Sequence, residues 1–154
     1  MYLISACLCG VNCKYNGANN YNEICDKLFS SGKAILVCPE QLGGLPTPRI
    51  PSEIINYSKE NSQKDITIIN KNGDNVSKEF IKGAQEVLNI EKKLNIKKAI
   101  LKEGSPSCGV NYVYDGTFTG NKINGRGITA EILLQSGIKV ISENNLGGNV
   151  DGDI

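Results

Sequence analysis

The chain reads as an α/β protein: an open, mainly parallel sheet with helices on both faces, Rossmann-like, in a single domain. Three observations carry this. Four short apolar runs, at 2–7, 34–38, 99–102 and 139–142, are each too short for a helix and end in polar or Gly/Pro punctuation, as buried parallel strands do. Helical periodicity fills the spaces between them, at 21–31, 77–94 and 128–135. The length, 154 residues, is that of one domain.

The elements follow in order. The first strand runs into Cys7. The first helix stops at Ser31-Gly32, where glycine can take the left-handed conformation that ends a helix. The second strand ends at Cys38, and 41–52 is Pro- and Gly-rich but punctuated by apolar residues, so it reads as an ordered loop. The stretch 63–75, with Ile66, Ile68 and Ile69 followed by Asn-Lys-Asn-Gly-Asp, suits a strand and a turn. The longest helix places Phe80, Ile81, Ala84, Val87, Leu88 and Leu94 on one face, and the last stops at Ser136-Gly137. The domain is expected over 1–143, with a flexible Gly/Asn/Asp-rich tail at 144–154.

Composition narrows the chemistry. Lys plus Arg total 17 and Asp plus Glu 16, so a net charge of +1 argues against a nucleic-acid polymer as partner. With no His, the chain cannot build a Ser-His-Asp or Cys-His nucleophile or a His-based metal site. Six Cys remain, at 7, 9, 13, 25, 38 and 108. The N-terminus lacks the basic and apolar regions of a secretory signal, and no apolar run approaches the roughly 20 residues of a membrane span. A cytoplasmic protein with reduced thiols is expected, with no membrane partner.

Cys7 ends the first strand, Cys38 ends the second, and Cys108 follows the third. In an open α/β sheet the ligand site lies beyond the carboxyl ends of the strands, so these three converge on one edge. No CxxC spacing suggests a zinc knuckle. Three thiolates without His suit a soft metal or a cluster, and an iron–sulfur cluster held by three Cys would leave one iron open. Cys25, on a helix, reads as packing, and Cys9 and Cys13 are not needed to complete three ligands. A short internal similarity relates 9–17 to 108–116, with six of nine positions identical, and aligns Cys9 with Cys108.

Several strings resemble the thiouracil desulfurase (TudS) family, formerly a domain of unknown function. They are Ser-Ala-Cys-Leu at 5–8, Cys-Lys-Tyr-Asn-Gly at 13–17, Cys-Pro-Glu-Gln-Leu-Gly-Gly-Leu-Pro-Thr-Pro-Arg at 38–49, Lys-Glu-Gly-Ser-Pro-Ser-Cys-Gly at 102–109 and Tyr-Asp-Gly-Thr-Phe-Thr-Gly at 114–120. The resemblance implies a desulfidase acting on a small thiolated base or nucleotide, such as 2-thiouracil or 4-thiouridine monophosphate. It implies a 4Fe-4S cluster on Cys7, Cys38 and Cys108 with one open iron, and Glu40, Ser105 and Ser107 as catalytic residues. The chain departs from the family at Lys14 and Asn16, where Arg and Asp are usual, and at Cys9, where Leu is usual.

On this reading the thiocarbonyl sulfur binds the open iron, water activated by Glu40 attacks the carbon, and hydrogensulfide leaves. Ser105 or Ser107 orients the water or relays a proton. Lys14, Arg49 and Arg126 are candidate contacts for a nucleotide phosphate, with Gly125-Arg126-Gly127 leading into a helix N-terminus. The competing readings are a cluster-bearing sulfur carrier or assembly factor, and a zinc or redox-sensing Cys domain.

Overall fold

A computed structural model describes residues 1–60 and 65–147. In chain order the elements are β1 (Tyr2–Ser5), the 3-10 turn Ala6–Cys9, α1 (Glu23–Ser30), β2 (Ala34–Val37), α2 (Pro39–Leu42), β3 (Ser52–Ile54), β4 (Ile68–Asn70), α3 (Ser77–Leu94), β5 (Lys98–Leu101), β6 (Tyr112–Tyr114), β7 (Lys122–Asn124), α4 (Ile128–Gln135), β8 (Lys139–Ser142) and the 3-10 turn Glu143–Asn145.

β2, β1, β5 and β8 form a four-stranded parallel sheet in that order, with Tyr2 opposite both Ala34 and Lys98, and Lys98 opposite Lys139. The α/β expectation is therefore met. The first crossover runs from β1 outward to β2, whereas β5 and β8 are added on the other side of β1. The winding reverses between β1 and β5, and the crevice beyond their carboxyl ends is where such sheets bind ligands.

Alternation along the strands covers both faces. Leu3, Val37, Ala99, Leu101 and Val140 pack with Phe80, Ala84 and Val87 of α3 and Ala130, Ile132 and Leu133 of α4. Tyr2, Ile4 and Ile100 point the other way, onto Cys25 and Leu28 of α1. Two adjacent central strands buried on both faces explain why their sequences are uninterrupted apolar runs rather than alternating patterns.

Boundaries differ from the sequence reading for local reasons. β1 stops at Ser5 and the chain turns at once into Ala6–Cys9, so Cys7 lies beyond the strand. α1 starts at Glu23 because Asn22 caps it, its Oδ1 accepting the Cys25 N–H at 3.1 Å. α3 and α4 have the expected bounds. The apolar residues near 66–69 give β4, which pairs antiparallel with β3 outside the main sheet, and β6 and β7 form a further small hairpin. Part of the 63–75 expectation, and residues 148–154 of the expected tail, lie outside the described residues. The start of that tail is tied down: Asn145 Oδ1 accepts from Ser142 Oγ at 2.9 Å and Asn111 Nδ2 at 3.0 Å, and Leu146 packs on the α1 side of the sheet.

Candidate active site

A cavity of about 570 Å³ opens at the carboxyl ends of the strands, and its wall contains Cys7, Cys13, Cys38 and Cys108. The turn after β1 delivers Cys7. Cys38 sits at the N-cap of α2, where Pro39 in the first turn presets the backbone and the Gln41 N–H faces the sulfur. Cys108 comes from the loop after β5. α4 holds that loop: the N–H groups of Ile128 and Thr129 donate to the carbonyls of Pro106 and Ser107 at 2.9 and 2.8 Å. The helix N-terminus expected to cradle an anion after Arg126 is thus spent on backbone carbonyls.

The Cys13 thiol lies between Cys7 and Cys38 and hydrogen-bonds toward both. That contact holds the Cys7 and Cys38 thiols below their usual pKa although burial and Glu40 oppose it, and pushes Cys13 itself up. Asn20 and Lys102 assist at Cys7, Arg49 at Cys38. Burial, then Glu40, push the Cys108 thiol up, against the nearby hydroxyls of Ser107 and Ser5. Cys9 and Cys25 do not line the cavity; they belong to the layer under α1, where burial raises them to about 11 and about 12. All six cysteines are unpaired.

Glu40 is 8% exposed and faces the thiols. Its Oε1 accepts from the Ser107 hydroxyl and lies 3.2 Å from Ser105 Oγ, while Oε2 stands 3.6 Å from Cys38 Sγ and 3.9 Å from Arg49 Nη2. The N–H groups of Ser107 and Cys108 donate to Ser105 Oγ at 3.0 and 3.1 Å, filling its acceptor side. Its proton is therefore free to go to Ser107 Oγ, 2.8 Å away, leaving the Ser107 proton for Glu40. The result is a directed chain of donors, Ser105 to Ser107 to carboxylate.

Of the three expected cations, Lys14 and Arg49 line the cavity and Arg126 does not. Arg49 donates to the Cys13 carbonyl at 2.9 Å and Thr47 Oγ1 at 3.1 Å. Arg126 pairs with Glu131 at 3.2 Å. Lys102, which sequence reasoning passed over, lines the cavity, donating to the Glu103 carbonyl at 3.1 Å with Glu143 Oε1 at 3.6 Å. Glu103 was also missed: its buried carboxylate accepts the N–H groups of Val110, Asn111 and Tyr112, shaping the segment after Cys108. Both stand in the Lys-Glu-Gly-Ser-Pro-Ser-Cys string at the end of β5, and that position was the available signal. Cys13 was set aside because three ligands seemed complete without it; only the folded loop brings it between Cys7 and Cys38.

Fold and site together define a doubly wound α/β protein with a thiol-rich, carboxylate-bearing cavity at its topological switch point. The 2-thiouracil desulfurase family matches residues 2–145, and the chain belongs to that family. It is 45% identical over 147 residues, 95% of this chain and 97% of the relative, to the uncharacterized protein YbbK of Bacillus subtilis (strain 168). Among solved structures it is similar to the 4Fe-4S-dependent thiouracil desulfidase TudS (DUF523Vcz), with a TM-score of 0.83 and 37% identity, covering 94% of this chain and 91% of that one. No helix among the described residues is long and apolar enough to cross a membrane.

Proposed function

We propose that this protein is a 4Fe-4S-dependent desulfidase that exchanges the sulfur of a thiolated pyrimidine for oxygen from water, releasing hydrogensulfide without net redox change. 2-Thiouracil and 4-thiouridine monophosphate are the substrates to test. The observation that carries the reading is the convergence of strand-end thiols and the Ser105–Ser107–Glu40 chain on one cavity. Family membership and the solved thiouracil desulfidase support it.

The donor set suits the cluster. Thiols from three separate strand ends line a cavity with no His, and Lys102 and Arg49 offset part of the thiolate charge. Among the described residues no three His, Cys, Asp or Glu side chains are grouped to share a single metal ion. Cys7, Cys38 and Cys108 would hold the cluster, which when bound supplies a soft Lewis-acidic iron for the thiocarbonyl sulfur.

The remaining work falls to the chain. Glu40 accepts a proton from the attacking water at Oε2, the oxygen left free of serine hydroxyls. Ser105 and Ser107 hold Oε1 and fix the carboxylate plane. Lys14 stands ready for the negative charge of a nucleotide, and Arg49 faces the same cavity while held on the Cys13 carbonyl and Thr47, whereas Arg126 lies outside it, paired with Glu131. Unpaired cysteines support a reducing compartment such as the cytoplasm.

The test is anaerobic loading with iron and sulfide, then turnover of 2-thiouracil and 4-thiouridine monophosphate without reductant. One hydrogensulfide per oxygenated base is the expected result. A fully loaded protein that releases none from either refutes the reading, and sulfide release only to an acceptor protein would favour a sulfur carrier instead.

A further inference from the structure

We propose that Phe118 is the surface on which this protein stacks the pyrimidine ring of its substrate, with Glu53 as the positioning residue that holds Phe118 in place. The proposal rests on the thiolated-base reading above and adds the residue that recognises the base.

Phe118 lines the cavity, yet it belongs to neither core cluster. Its backbone is in the left-handed region, φ 58°. A bulky residue there is a genuine outlier, maintained only when its surroundings over-determine it, and such outliers gather at ligand sites. The surroundings do so here. Glu53 Oε1 accepts the N–H groups of Gly116 at 2.9 Å and Phe118 at 3.2 Å. Gly116, φ 93°, lies so close to the end of β3 that an added Cβ would stand 2.7 Å from Ile55 Cα. Asp115 closes the loop, accepting from Thr117 N at 3.0 Å and Asn121 Nδ2 at 2.8 Å.

The ligand chemistry follows from what else lines the cavity. Glu40, Lys14 and Lys102 supply charge rather than a flat face, and Arg49, whose plane could stack on a ring, is held on the Cys13 carbonyl and Thr47. An aromatic ring supplies that face, and it tolerates any base because every base has one. Of the other rings in the wall, Phe80 is 2% exposed and packed into the core, Tyr114 is engaged edge-on with Tyr112 at 6.3 Å, and Tyr15 carries Lys14 Nζ over its face at 5.8 Å. Phe118 remains.

The experiment measures binding of uracil, the unreactive oxygenated base, to the cluster-loaded protein by equilibrium dialysis, alongside kcat and KM for 2-thiouracil. Phe118→Ala should weaken uracil binding roughly 5- to 150-fold, the range of one lost stacking contact. KM should rise similarly, with kcat changed far less and iron content retained. Phe118→Trp should bind within a few-fold of wild type, and Phe118→Leu, which keeps bulk but loses the π face, should bind more weakly than Trp. Glu53→Ala should shift KM as Phe118→Ala does, and Glu53→Gln, whose amide oxygen can still accept both N–H groups, should restore it. Wild-type turnover with undiminished uracil binding in Phe118→Ala, or Leu binding as well as Trp, overturns the proposal alone. A loaded wild type that neither binds nor desulfurises the base overturns the desulfidase reading and the proposal with it.

Discussion

Replacing Glu40 by Gln separates proton transfer from architecture at this site. The amide keeps the shape of the carboxylate, and its oxygen can still accept from Ser107. The atom lost is Oε2, which faces Arg49 at 3.9 Å and Cys38 at 3.6 Å, and the NH2 that replaces it cannot take a proton. General-base catalysis is worth roughly 10²–10⁴-fold, or about 2.7–5.4 kcal/mol of barrier. The structural cost falls on stability rather than on the barrier: removing the charge of one partner of a buried pair costs about 3–5 kcal/mol of folding free energy, so turnover is compared only between folded, iron-matched proteins. Arg49 keeps its bonds to the Cys13 carbonyl and Thr47. The assay is the initial rate of hydrogensulfide release from 2-thiouracil in iron-matched wild type and Glu40→Gln, with uracil binding as control. Turnover should fall at least 100-fold while iron content and uracil binding persist. Wild-type turnover in an iron-replete Glu40→Gln protein removes Glu40 from the mechanism, and loss of iron together with activity makes its role structural.

The thiols separate by iron analysis: Cys7→Ala, Cys38→Ala and Cys108→Ala should lose the cluster, whereas Cys13→Ser, whose hydroxyl can still donate to Cys7 or Cys38, should keep most of its iron. Iron lost in Cys13→Ser but kept in Cys108→Ser would transfer the third ligand to Cys13. In the cluster-free protein near pH 8, iodoacetamide should modify Cys7 and Cys38 well before Cys9 and Cys25, as read by mass spectrometry, because lowered thiols hold more thiolate there than thiols near 11 and 12. Glu103→Ala should cost about 2–4 kcal/mol at pH 7 by urea unfolding, since several N–H groups lose a charged acceptor. Those donors outweigh burial and lower its carboxyl below 4.5, so its contribution is present above that value, is lost as pH falls through the folded pKa, and the gap to the variant should close there. Gly83→Ala would drive a methyl into the Pro39 carbonyl, shifting the segment that carries Cys38 and Glu40; it should destabilise by about 1–3 kcal/mol in thermal unfolding and reduce iron retention.

What was legible in the sequence follows from where information is local. β1 and β5 are buried on both faces and β2 and β8 largely so, so each is a short apolar run between turn residues, and α3 carries its core face at helical spacing. Strand ends then predict a shared edge without any knowledge of side-chain contacts, and Cys7, Cys38 and Cys108 do line one cavity. The β6–β7 hairpin was not legible: its strands have three residues each and half-exposed side chains, too little to show a period. Lys102 and Arg126 illustrate the same limit for charges. Both precede or flank turn-rich strings, and only the partners each finds in the fold, Glu143 for one and Glu131 for the other, aim the first into the cavity and hold the second away from it.

The internal similarity between 9–17 and 108–116 shows how a repeat can be real in backbone and misleading in chemistry. Its alignment equates Cys9 with Cys108, which would make Cys9 the first thiol of the site. Cys9 instead closes the 3-10 turn after β1 and joins Cys25 and Leu28 under α1, whereas Cys108 faces the cavity from a loop clamped by α4. The two Cys occupy different depths after their strands: Cys9 lies four residues beyond Ser5, Cys108 seven beyond Leu101. What the segments share is their far ends. Gly17 and Gly116 are both left-handed, at φ 80° and 93°, and both segments present an aromatic residue to the cavity, Tyr15 from one and Tyr114 from the other. The common residues therefore serve two turns that both wall one cavity, and the strand ends rather than the repeat assign the thiols, putting Cys7 in the cavity wall and leaving Cys9 in the layer under α1.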